Sequence, residues 1–187
     1  MKKIREVKGK YITLRPISFD DAEFVVNLRN NPRHSQYIEP GVKTVKEQLD
    51  WMRGYFEKDN DHYFIIVWNL TEDRIGTIAI YKIDFSDGKA EWGRWIVDNN
   101  PLAALESVYL IYKYGFEVLN LKKLYFTTVV ENLRAVRIHE FYGARRIKIL
   151  KNYSLIRGSY RDEYYYEVDR KLFDDRIKPS LLKFLRI

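Results

Sequence analysis

No cysteine occurs in the 187 residues, which excludes disulfides and thiolate metal sites. Histidine is scarce as well. His34, His62 and His139 are scattered without ligand spacing, so no metal site is expected. No apolar run approaches the roughly 18–20 residues of a membrane span. The opening MKKIREVKGK is basic but lacks the apolar stretch of a signal peptide, so a cytoplasmic location is expected. Internal repeats, low-complexity stretches and linkers are also missing. The net charge of +7, from 33 basic and 26 acidic residues, suits an anionic partner. Apart from Arg145, Arg146, Lys148 and Lys151 the basic residues are dispersed. A nucleic-acid binder would need a basic stripe with exposed aromatics, so no nucleic-acid partner is expected.

Apolar and aromatic residues are plentiful, at 46% and 16%, enough for a sizeable core in one domain over 1–187. The segment YITLRPI (11–17) alternates as a strand, and Ser18 or Asp20 caps a helix running to about Asn30. Ala22, Phe24, Val25 and Leu28 form its buried stripe, and Asn30-Asn31-Pro32 stops it. A loop over 32–43 precedes Thr44-x-x-Glu47, a capping box, and a second helix carrying Leu49, Trp51, Met52, Tyr55 and Phe56. Strands over 62–70, 74–83 and 90–97 follow, separated by turns at 71–73 and 86–88. A helix is expected over 102–119, a strand in KKLYFTTVV (122–130), and a helix in ENLRAVRIHEFYGA up to Gly143. Two antiparallel strands, 145–155 and 160–172, join around Arg157-Gly158. The tail from Asp174 suggests a short basic amphipathic helix. The order β-α-α-β-β-β-α-β-α-β-β predicts an α/β mixed sheet with helices on both faces.

Four pieces of this sequence resemble the GCN5-related N-acetyltransferase (GNAT) superfamily, in the branch of ribosomal-protein N-terminal and amino-sugar acetyltransferases. They are ITLRPISFDDAEFVVNLRNNP, RIGTIAIYKID, AEWGRWIV and LKKLYFTTVVENLRAVRIHEFYGARR. In order they cover about residues 10–172, leaving 173–187 as a tail. The resemblance implies a mostly antiparallel sheet with one splayed parallel pair, and acetyl transfer from acetyl-CoA to a primary amine. It puts pantetheine contacts on Trp95, Ile96 and Val97. The pyrophosphate falls at Asn99, Asn100, Leu102, Ala103 and Ala104, where free N–H groups and the helix dipole favour anions. Asn132 is expected to bond the cofactor's arm. The pyrophosphate loop departs from the family's [QR]-x-x-G-x-[GA]: Leu102 replaces the middle glycine, and the loop is about two residues shorter.

Attack by an amine on a thioester needs a neutral amine and a proton for the leaving thiolate. Glu91, on the central strand, is the candidate base. His139 falls where many relatives place a tyrosine that protonates the thiolate, and an imidazole titrates nearer neutrality. Tyr142, three residues on, is a second candidate acid. Arg94 is out of phase with Glu91 and should point to the opposite face. Arg29, His34 and Tyr37 overhang the acceptor site in such a fold and are candidate substrate contacts. The acceptor expected is the amine of a nucleotide-linked deoxyamino sugar, with a protein N-terminus as the alternative and a non-catalytic CoA-binding paralogue as a third reading. An exposed edge strand and the apolar tail LLKFLRI make a homodimer plausible.

Overall fold

The computed structural model describes residues 4–98 and 100–187. Its first half comprises β1 (Val7–Lys8), β2 (Ile12–Pro16), α1 (Ala22–Asn30), α2 (Val45–Phe56), β3 (Asp61–Trp68), β4 (Arg74–Asp84) and β5 (Lys89–Val97). The second half comprises α3 (Pro101–Lys113), β6 (Lys123–Val129), α4 (Leu133–Phe141), β7 (Arg145–Ile156), β8 (Ser159–Asp169) and a C-terminal helix (Lys178–Leu185). The eight strands form one sheet in the order β1-β2-β3-β4-β5-β6-β8-β7. Every neighbouring pair is antiparallel except β5 and β6.

The apolar run of β3 is buried on both faces, and its period of two divides the core. Phe64 and Ile66 point to a cluster with Ile78, Ile80, Trp92, Val108 and Tyr112, under α3. Tyr63 and Ile65 point to a second cluster with Val25, Met52 and Tyr55, under α1 and α2. Local caps set the helix starts. Glu47 N–H donates to Thr44 Oγ1 at 3.2 Å while Thr44 N–H donates to Glu47 Oε2 at 2.9 Å. The helix expected over 102–119 is α-helical only to Lys113 and continues as a wide π turn, Tyr114–Val118. The chain is tight there: a Cβ on Gly115 would lie 2.7 Å from Leu124 Cδ1.

Two irregularities in the sheet create the site. First, β5 and β6 pair only at Lys89↔Lys123, Ala90↔Leu124 and Glu91↔Tyr125. Beyond Glu91 they diverge, so the facing edges of both strands carry backbone groups with no ladder between them. Second, Ala79 pairs with Gly93 but Thr77 with Ile96, so β5 bulges at Arg94–Trp95. Arg94 takes a left-handed φ of 47° there, and its carbonyl accepts from Thr77 Oγ1 at 2.9 Å.

The tail behaves differently from the expectation. Phe173, Ile177, Leu181 and Leu185 recur every four residues, and all are fully buried in the main core. The apolar side of LLKFLRI is therefore spent inside the chain rather than left for a second copy, although Phe184 stays exposed. The edge strand β7 is exposed along most of its length.

Candidate active site

A cavity of about 610 Å³ runs through the gap between β5 and β6, from the face covered by α1 and α2 to the flank of α4. Its β5 side carries Glu91, which is 7% exposed. The carboxylate accepts from Lys82 Nζ at 2.7 Å and Tyr81 Oη at 3.0 Å. Gly93 makes room for that arrangement, since a Cβ there would lie 2.7 Å from Tyr81 Oη. Burial, and next the Glu91 charge, push the Tyr81 phenol well above its ordinary value. The hydrogen bond to Glu91 raises Lys82. Glu91 is thus a fixed anion with two donors already on it.

Arg94 does not point away from Glu91. The bulge breaks the period of two, and both residues line the same cavity. The guanidinium grips Asp61 through two bonds, 2.7 and 2.9 Å, and lies over the rings of Tyr81, Tyr63 and Trp51. A non-glycine residue in the left-handed region costs on the order of 1 kcal/mol or more, offset here by that clamp.

His139 lines the cavity from α4 and is 2% exposed. The rings of Trp92, Trp95, Phe126 and Tyr166 surround it, with centroids 4.5–5.7 Å away. Burial pulls its pKa from 6.5 down to about 3, which overturns the expectation of an imidazole titrating near neutrality. It is neutral, and any proton it gives must come from a ring N–H. Its Nδ1 shares a 2.8 Å hydrogen bond with Tyr142 Oη. Tyr142 is not a cavity residue. It is fully buried behind His139, 3.4 Å from Tyr112 Oη, and burial holds its phenol well above 10.

Of the expected cofactor contacts, Trp95, Ile96 and Asn132 line the cavity, while Val97 pairs with Gly76 outside it. Trp95 Nε1 is anchored on Ser107 Oγ at 3.0 Å. Asn132 caps α4, its Oδ1 accepting from Ala135 N–H at 3.2 Å. At the start of α3, Asn99 lies outside the described residues. Pro101 has no N–H to offer. Asn100 accepts from Ala103 N–H through its side chain at 3.1 Å and from Ala104 N–H through its carbonyl at 2.9 Å. Two of the donors expected for a phosphate are therefore already capped. Leu102 faces a separate hollow of about 710 Å³ beside Phe141 and Phe184.

Among the acceptor candidates, Tyr37 and Arg29 line the cavity, Arg29 also donating to the Glu39 carbonyl at 3.0 Å. His34 is turned toward Asp98, at 3.7 Å. Several lining residues escaped the sequence reading: Tyr63, Tyr81, Lys82, Ser154 and Glu163. Their only sequence signal is strand phase, and it becomes usable only once the register is known.

A sequence model described as Acetyltransferase (GNAT) domain matches residues 12–145. Spermidine N(1)-acetyltransferase of Vibrio cholerae is 26% identical, over 81% of this chain and 88% of its own length. An uncharacterized N-acetyltransferase, p20, of Bacillus licheniformis is 23% identical, over 84% of this chain and 92% of its own. Apo FdhC, a nucleotide-linked sugar GNAT, superposes with a TM-score of 0.78 at 26% identity, covering 97% of both chains. No helix among the described residues is long and apolar enough to cross a membrane.

Proposed function

The chain belongs to the acetyltransferase (GNAT) domain family and is an acetyl-CoA-dependent N-acetyltransferase, and from that premise we propose that its acceptor is the amine of a nucleotide-linked deoxyamino sugar. The pantetheine arm would run between the unpaired edges of β5 and β6, past Ile96 and Asn132. Its thioester would then reach the middle of the cavity, with His139 on one side and the acceptor on the other. Transfer is direct: the amine's lone pair attacks the carbonyl carbon, and the thiolate leaves. Glu91, held by Lys82 and Tyr81, would shape the acceptor side of the cavity rather than float as a free base. A ring N–H of neutral His139 would hydrogen-bond the sulfur as charge builds on it.

The observation carrying the sugar reading is the acceptor side of the cavity. Tyr37 and the exposed edge of Trp51 supply aromatic surface for a sugar or base, with Arg29 for phosphate. The near-complete match to a nucleotide-sugar acetyltransferase supports it. The carboxylates Glu39, Glu91 and Glu163 on the same cavity favour a second reading, a polyamine acceptor, in line with the spermidine-acetylating relative. Calorimetry with CoA, then an acetylation screen of dTDP- and UDP-linked amino sugars, spermidine and peptides, tests both. Turnover of the nucleotide sugars in preference to spermidine and peptides is the expected result. Preference for spermidine would move the assignment to polyamines. Absence of saturable CoA binding up to millimolar, a limit of only about 4 kcal/mol, would sink both.

A further inference from the structure

We propose that Glu163 is the group that receives the proton of the acceptor's ammonium. This rests on the acetyltransferase reading above and names the base of that same site. Glu163 sits on β8 at the cavity and is 7% exposed, yet it has neither a hydrogen bond nor an ion pair among the described residues. Its neighbours are treated otherwise. Asp162 has Lys151 at 2.6 Å, Glu167 has Lys123 at 2.8 Å, and Glu131 has Arg161 at 3.3 Å. Lys151, Lys123 and Arg161 are thus engaged elsewhere. Its carboxylate oxygens open into the cavity rather than into the core. A cavity wall that keeps an unpaired carboxylate leaves a place for a cation from outside, and an acetyl acceptor brings one.

The strand register puts Glu163 on the correct side. Glu91 pairs with Tyr125, and Glu163 pairs with Val129. Tyr125 and Val129 are four residues apart on β6, so both carboxylates project from the face toward α1 and α2. They stand at opposite ends of the stretch where β5 and β6 part, while His139 lies on the other face. Ser154 pairs with Arg161, two residues from Glu163, and so shares its face as a diagonal neighbour. Ser154 is 4% exposed, and its buried Oγ has no hydrogen-bond partner among the described residues. Glu91 differs in that Lys82 and Tyr81 already occupy its oxygens.

The step balances without a further reactant. Glu163 takes one proton from R–NH₃⁺. The freed lone pair forms the N–C bond to the acetyl carbon, and the C–S bond breaks with its electron pair on sulfur. The nitrogen's second proton ends on the thiolate, and Glu163 returns the first to solvent.

The test compares wild type with Glu163→Gln and Ser154→Ala. Activity is measured with UDP-glucosamine, a dTDP-linked 4-amino sugar and spermidine, CoA affinity by calorimetry, and the melting temperature without ligands. Glu163→Gln is expected to lose about 10²–10⁴ in turnover near neutral pH. The deficit should shrink as rising pH deprotonates the amine in solution. CoA affinity should stay within about twofold, and the ligand-free protein should melt at the same temperature, since the carboxylate has no partner among the described residues to lose. Ser154→Ala should raise the acceptor KM more than it lowers kcat. Near-wild-type turnover in Glu163→Gln overturns the proposal. So does a lower melting temperature, which would show a structural partner for the carboxylate, and it decides the matter even where none of the three amines is a substrate. If wild type binds no CoA, the underlying reading falls and this inference falls with it. Intact CoA binding beside an unimpaired Glu163→Gln strikes Glu163 alone.

Discussion

On the side of the cavity built by β3, β4 and β5, Glu91 receives Lys82 and Tyr81, and Arg94 is clamped by Asp61. On the side built by β7 and β8, Glu163 and Ser154 receive nothing from the described residues. Both sides are buried to a similar degree, so burial does not separate them. Partnership does. Groups that satisfy one another fix the shape of a wall. Groups left open define what the cavity still lacks, and stability and activity should respond to them in opposite directions.

The largest effect belongs to His139, which touches rings from both sides. Its folded pKa of about 3 lies below the unfolded 6.5, so the unfolded chain binds the extra proton first. Stability is therefore complete above pH 6.5 and is lost as pH falls from 6.5 toward 3. At about 1.4 kcal/mol per unit the ceiling is about 5 kcal/mol. Urea unfolding across pH 4–7 should show that slope in wild type and a flatter one in His139→Phe. Equal slopes would mean that the imidazole is not the group titrating. Next is Asp61→Ala, which leaves Arg94 buried without its carboxylate. A loss of about 3–5 kcal/mol in the same assay is expected, and a loss under 1 would show that the paired side does not depend on this clamp.

Smaller effects sharpen the contrast between the carboxylates. Glu91→Gln keeps an acceptor for Lys82 and Tyr81 and should cost less than about tenfold in turnover, or roughly 1.4 kcal/mol. A greater loss than in Glu163→Gln would reverse the comparison and make Glu91 the base. The smallest change is the stability of Ser154→Ala. Removing an unpartnered buried hydroxyl should leave the unfolding free energy within about 0.5 kcal/mol, or raise it. Destabilisation beyond that would reveal a hydrogen bond on the open side.

Much of the architecture was legible in the sequence because it depends on local chemistry. Thr44 and Glu47 announce a helix start wherever they occur, and Asn100-Pro101 does the same for α3. The β-rich runs 62–70 and 122–130 needed no tertiary information to be recognised as strands. The bulge was not legible, because it arises from how β4 and β5 pair. Without it Arg94 falls on the wrong face. His139 was found because the resemblance places a tyrosine there in many relatives, but its charge state depends on rings from β5, β6 and β8 that only the fold assembles. Glu163 was missed because one of two glutamates in YRDEYYYEVD reads as a solvated side chain until its neighbours' lysines are seen to go elsewhere.

If the cofactor's pyrophosphate sits at the start of α3, as the resemblance implies, the cap that Asn100 places there bears on the cycle time of the enzyme. A phosphate settling at that helix start meets a carboxamide tethered one residue before it, which never diffuses away. Displacing such a cap costs on the order of 1 kcal/mol, about fivefold in affinity. The same penalty works in favour of departure, because the carboxamide recloses on Ala103 as the phosphate lifts off. On that reading the residue that starts the helix would act as an ejector for the spent cofactor after every transfer.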